Sequence, residues 1–82
     1  MSYQIQIDGP ARQQIAALPQ EAVELLPEIW AMLEITPWAA DPMRRDNPTG
    51  ALRTIAFGEF GLITYLILDH QRIIDVLSVI WI

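Results

Sequence analysis

The sequence has no cysteine and no lysine, one histidine and four glycines in 82 residues. Without cysteine there is no disulfide framework, thiolate metal site or thiol nucleophile; a cytoplasmic location fits that composition. The one histidine lies in Asp69-His70-Gln71-Arg72, which reads as an exposed turn and forms no Ser/His/Asp set. No glycine-rich phosphate loop is present, no carboxylate pair stands at a useful spacing, and no cofactor or metal is called for. With lysine missing, all five positive charges are arginines, set against ten acids for a net charge of −5. So acidic a chain is a poor general binder of phosphate backbones, because that affinity rests on Lys and Arg displacing counterions. The imbalance lies in the first half, where Arg12 stands alone against Asp8, Glu21, Glu24, Glu28, Glu34 and Asp41. Long hydrophobic runs are absent too. The longest, Leu62 to Leu68, is far too short to cross a bilayer, and no charged-then-apolar signal segment opens the chain.

What is present is ample material for one core. At 52% apolar, residues 1–82 make a single domain. The last third falls into three apolar runs: Ala51–Phe57, Phe60–Leu68 and Arg72–Ile82. Rich in β-branched and aromatic residues and punctuated by Gly58-Glu59 and Asp69-His70-Gln71, they read as an antiparallel meander. Gly58-Glu59 suits a two-residue turn of type II′. Tyr3-Gln4-Ile5-Gln6-Ile7 alternates with period two and predicts a first strand. Asp8-Gly9-Pro10 then opens a helix running to Leu18. From Gln20 to Ile35 the stripe Val23, Leu26, Trp30 and Leu33 marks further helix, either kinked at Pro27 or split into two short helices there. Residues 36–50 carry Pro37, Pro42, Pro48 and Gly50 and read as loop, pinned by Trp38 and Met43. The expected fold is a two-layer α+β domain of order β-α-α-β-β-β, its antiparallel C-terminal meander covered by two helices.

Arg44, Arg45 and Arg53 form the one cationic cluster. Arginine suits phosphate because its planar fork donates bidentately and stays charged; equally, Asp41, Asp46 or the helix glutamates can hold Arg44 and Arg45. Arg53 shares a strand face with Ala51, Ile55 and Phe57, so it borders the core and needs a partner. Asp75, on the side of Ile73, Leu77, Val79 and Trp81 by simple alternation, can pair with Arg53 or Arg72 across the sheet. Tyr65 reads as core with a satisfied hydroxyl.

Taken together, the opening Tyr3–Ile7 strand, Leu18-Pro19, Pro42 and Gly50, Arg53, Phe57-Gly58, Tyr65-Leu66-Ile67 and Ile73–Val79 resemble the RelE/ParE toxin superfamily of bacterial toxin–antitoxin systems. The resemblance runs end to end. In the ribonuclease branch it implies ribosome-dependent cleavage of mRNA, in which a 2′-hydroxyl attacks the adjacent phosphate. Arg53 matches the phosphate-facing arginine of the second strand. Arg53 and Arg45 are thereby the catalytic candidates, with Arg44 and Arg72 binding substrate. An antitoxin protein is the implied partner. Where that branch carries an Arg or His and a following Tyr after the last strand, this sequence has Ile80-Trp81-Ile82, which implies weak or degenerate activity. The ParE branch, which inhibits DNA gyrase by binding, needs no such set and is the alternative, with an antitoxin-binding structural homologue beside it. The apolar Ile80-Trp81-Ile82 end is expected in an antitoxin groove or a homodimer contact.

Overall fold

The computed structural model describes residues 2–43, 46–47 and 49–82. The first strand, β1 (Gln4–Ile7), leads through Asp8 into α1 (Gly9–Ala16). The one-turn α2 (Gln20–Val23) and α3 (Leu26–Ile35) follow, then a 3₁₀ turn over Pro37–Ala39 and the two-residue strand β2 (Asp41–Pro42). The meander consists of β3 (Leu52–Phe57), β4 (Gly61–Leu68) and β5 (Ile73–Trp81), with a second 3₁₀ turn at Asp69–Gln71. The five strands stand in the order β1-β5-β4-β3-β2. β1 runs parallel to β5, with Gln4 opposite Ile73 and Ile7 opposite Val76, and the other pairs are antiparallel. The two-layer α+β architecture and the meander are as expected; β2 is an added strand inside what reads as loop.

Pro27 sits in the first turn of α3, where its missing N–H leaves no helical bond unmade. The chain therefore forms two short helices instead of one kinked helix. The break at Glu24-Leu25 resets the helical phase, so Ala22 is buried and Val23 lies on the surface. The predicted stripe holds only from Leu26 onward.

Phe57 pairs with Gly61, which leaves a three-residue turn, Gly58-Glu59-Phe60, where two residues are expected. Gly58 does take the positive φ, 61°, and a Cβ there would meet Leu25 Cδ1 at 2.8 Å and the Trp81 ring at 3.1 Å.

One irregularity decides which side chains reach the core. Thr64 pairs with Ser78 but Tyr65 with Val76, so Leu77 is the extra residue of a β-bulge. Ile74 and Val76 before the bulge, and Val79 and Trp81 after it, join Ile63, Tyr65 and Ile67 under the helices. Asp75 and Ile73 consequently point to the other, open face. This corrects the placement of Asp75 beside Val79 and Trp81, because plain alternation carries the wrong phase across Leu77. Its expected pairing with Arg53 fails for the same reason, since Arg53 is buried on the helix side.

The C-terminal stretch is split by the same geometry. Trp81 packs within its own domain, its ring 5.4 Å from Phe57 and 5.9 Å edge-on from Phe60. Ile80 and Ile82 stay 45% and 92% exposed.

Candidate functional site

Of the four predicted site residues, Arg44 and Arg45 lie outside the described residues. Arg53 is 6% exposed. It points inward from β3 with Ile55 and Phe57, opposite Tyr65, and its head reaches the chain leaving α3. Nε donates to the Gly50 carbonyl and Nη1 to the Ala40 carbonyl, both at 2.9 Å. The guanidinium lies 5.0 Å from the Trp38 ring centroid, a cation–π distance. The partner that a core-bordering arginine needs is thus backbone carbonyl and indole. Tyr65 is fully buried and donates its hydroxyl to the Pro37 carbonyl at 2.6 Å. Burial pushes its pKa up to about 12, against the opposing charge of Arg53.

Arg72 closes the β4–β5 turn in left-handed backbone, φ 57° and ψ 45°, a conformation costing a non-glycine residue about 1–2 kcal/mol. Its Nη1 donates to the Tyr3 hydroxyl at 2.9 Å, and its guanidinium lies 5.0 Å from the Tyr3 ring centroid. The Tyr3 hydroxyl donates to Asp69, whose same oxygen accepts the Trp38 indole N–H at 3.2 Å. These bonds from Tyr3 and Trp38, followed by the charges of Arg72 and His70, hold the Asp69 carboxyl below its usual range. Arg53, Trp38, Asp69, Tyr3 and Arg72 therefore form one continuous chain of contacts along the end of the sheet where β3 and β5 begin. It fixes two permanent cations, one buried and one exposed.

Sequence reasoning named both arginines and read Trp38 as a loop anchor, but not the connecting set. Tyr3 and Asp69 are 66 residues apart and Trp38 and Asp69 31, and no local pattern spans such distances. A tryptophan inside a proline-rich loop was the available signal.

A second polar feature lies on the open face. Asp75 Oδ1 is sealed from water without a hydrogen-bond partner. Burial first, and then the neighbouring Asp8 carboxyl, which can accept a hydrogen bond from the protonated form alone, raise Asp75 above the ordinary carboxylate range.

Neither a protein-family model nor a curated protein matches the sequence. Solved structures do match the fold. The toxin–antitoxin complex RelBE2 from Mycobacterium tuberculosis aligns over 100% of both chains at 20% identity, with a TM-score of 0.84. A free double mutant of the E. coli toxin RelE aligns over 96% of this chain and 82% of its own at 21% identity, TM-score 0.78. The archaeal RelE–RelB complex from Pyrococcus horikoshii aligns over 99% of this chain and 96% of its own at 18% identity, TM-score 0.71. The chain has the RelE toxin fold.

Proposed function

We propose that this is a RelE/ParE-type toxin-like protein of the bacterial cytoplasm, held by a protein antitoxin and capable at most of slow, ribosome-dependent mRNA cleavage. The observation that carries this reading is the end-to-end match to RelE folds, several of them from complexes with antitoxin. Arg53 and Arg45 are the proposed catalytic residues, and Arg44 and Arg72 the proposed substrate contacts. The burial of Arg53 supports slow chemistry, because two of its donors are committed to the Gly50 and Ala40 carbonyls. Missing general acid–base groups lower a rate by about 10²–10⁴-fold. The exposed Ile80 and Ile82 are the proposed antitoxin contact, with a homodimer through the same strand as its alternative. A second reading, inhibition of DNA gyrase by binding alone, needs no catalytic set, and the commitment of Arg53 to the Gly50 and Ala40 carbonyls favours it.

The test is induced expression with growth and RNA cleavage followed together, then single-turnover cleavage on programmed ribosomes for wild type, Arg45→Ala and Arg72→Ala. Slow cleavage, weaker in both variants, is expected. Rapid wild-type cleavage would refute the attenuated reading. Growth arrest without RNA cleavage, accompanied by gyrase inhibition in a supercoiling assay, would establish the second.

A further inference from the structure

Trp38 is the most exposed of the three tryptophans, at 40%, yet it is fixed from several sides. Its 3₁₀ turn is closed by the Ala39 N–H on the Thr36 carbonyl at 3.1 Å. From the core, the Tyr65 hydroxyl anchors the same turn through the Pro37 carbonyl. Asp69 holds the indole N–H, and the Arg53 guanidinium backs the ring. Because Arg53 is buried, it covers the ring from the protein side, and the exposure falls on the opposite side. An indole presents a large apolar body that gains by being covered. One held rigidly with an open side is a stacking platform whose ordering is complete before any ligand arrives.

The Asp69 oxygen that holds the indole also accepts the Tyr3 hydroxyl, which in turn accepts Arg72 Nη1. Trp38 and Arg72 are thus three hydrogen bonds apart, a span that one ribose covers. Arg72 is exposed. It is the one non-glycine residue with a positive φ among the described residues, and backbone strain of this kind collects at ligand contacts. Among the described residues its Nε and Nη2 make no hydrogen bond, which leaves part of the planar fork for an anion. Asp69 is the one carboxylate in this set against two arginines, so the local charge is positive although the whole chain carries −5. A stacking ring and a guanidinium at that spacing select a flat heterocycle joined to a phosphate. An aliphatic peptide or a lipid headgroup would use only one of the two.

We propose that Trp38 and Arg72 together hold one nucleoside 5′-phosphate unit, its base stacked on the outer side of the indole and its phosphate on the Arg72 guanidinium. The unit belongs either to an RNA single strand or to a free nucleotide. The inference deepens the reading of Arg72 as a substrate contact and rests on the RNA reading only for the strand. One stacked base and one paired phosphate give weak binding, with a Kd of about 1 mM.

The experiment is an NMR titration of the 82-residue chain with adenosine 5′-monophosphate, adenosine, ribose 5-phosphate and hexa-adenylate RNA, read at the Trp38 indole N–H and the Arg72 Nε–H. The monophosphate is expected to shift both signals saturably, adenosine to bind more weakly, and ribose 5-phosphate to leave the indole unmoved. Trp38→Leu should weaken the monophosphate by at least about fivefold, the lower end of what one stacked base contributes, and Trp38→Phe should restore most of that loss. Arg72→Gln should bring the monophosphate down to the affinity of adenosine and leave adenosine itself unchanged, and it serves if the Trp38→Leu variant unfolds. Tighter binding of hexa-adenylate at equal nucleotide concentration assigns the site to a strand, and equal binding assigns it to a free nucleotide. No saturable shift, an indole shift from ribose 5-phosphate equal to that from the monophosphate, shifts centred on Trp81, or undiminished binding by folded variants would overturn the proposal. Ribosome-dependent cleavage without nucleotide binding at Trp38 overturns this inference alone. Nucleotide binding at Trp38 with neither growth arrest nor RNA cleavage supports it and overturns the functional reading.

Discussion

Leu62 and Ile63 are neighbours in β4, both aliphatic, and they stand on opposite faces of the same sheet. Ile63 is fully buried beneath the helices, while Leu62 is 41% exposed and pairs with the equally open Ile80. Near-continuous apolar runs of this kind are what strands covered on both faces carry. Here one face is covered by the chain itself and the other is not. The helix-side residues hold the fold, and the open-side residues are free to serve contacts.

The largest test of that contrast is Ile63→Ala beside Leu62→Ala, compared by urea denaturation. The buried deletion should cost about 2–5 kcal/mol, and the open-face one about 1 kcal/mol or less. Equal costs would mean that the open face is covered in solution, and a concentration-dependent midpoint would identify self-association. Next comes Arg53→Ala, expected to lose about 2–3 kcal/mol by the same measurement because it breaks two charged hydrogen bonds to backbone carbonyls. Arg72→Gly should change stability by less than about 1 kcal/mol, as relief of left-handed strain offsets the lost Tyr3 bond. Tyr65→Phe should cost about 1 kcal/mol through the lost bond to the Pro37 carbonyl, with the phenolic titration at high pH becoming easier to assign once this tyrosine is removed.

The smallest effect is a slope against pH. The folded pKa of Asp75 lies above its ordinary 3.8, so the native state holds that proton more tightly than the unfolded chain does. Its stabilising contribution is complete below the ordinary value and is lost as pH rises through the raised one. Asp69 works in the opposite direction: its depressed folded pKa gives stability above the ordinary 3.8 that is lost as pH falls through the folded value. Asp75→Asn should be more stable than wild type at neutral pH and should lose the gain that wild type shows on mild acidification. A denaturation midpoint followed across the acidic range checks it; an unchanged profile would remove the Asp8–Asp75 contact from the account.

The period-two alternation of Tyr3–Ile7 and the β-rich runs after Ala51 were enough to read β1 and the meander, because each reports a local preference. Tyr65 was legible as core with a satisfied hydroxyl, and Arg53 as an inward arginine in need of partners. The bulge at Leu77 was not legible, since it arises from how β5 fits β4 and leaves no local mark. The helix break at Glu24-Leu25 moved Ala22 inward in place of Val23 for a similar reason: a phase reset is invisible to a stripe counted through it. The links from Tyr3 and Trp38 to Asp69 depend on three distant segments meeting, which only the folded sheet brings about.

The parallel pairing of β1 with β5 also sets an order of events. The Val79 N–H is bonded at 2.7 Å by the side chain of Gln14, 65 residues earlier, and Arg72 reaches Tyr3 across 69. The strands of the meander can zip together as soon as each hairpin is made, whereas β1 and α1 must wait for a strand synthesised far later. Loop closure over such a span slows folding. The segment made first is thus finished last. Until β5 arrives, a nascent chain carries an unpaired Tyr3–Ile7 edge and a Gln14 amide with no strand to bond.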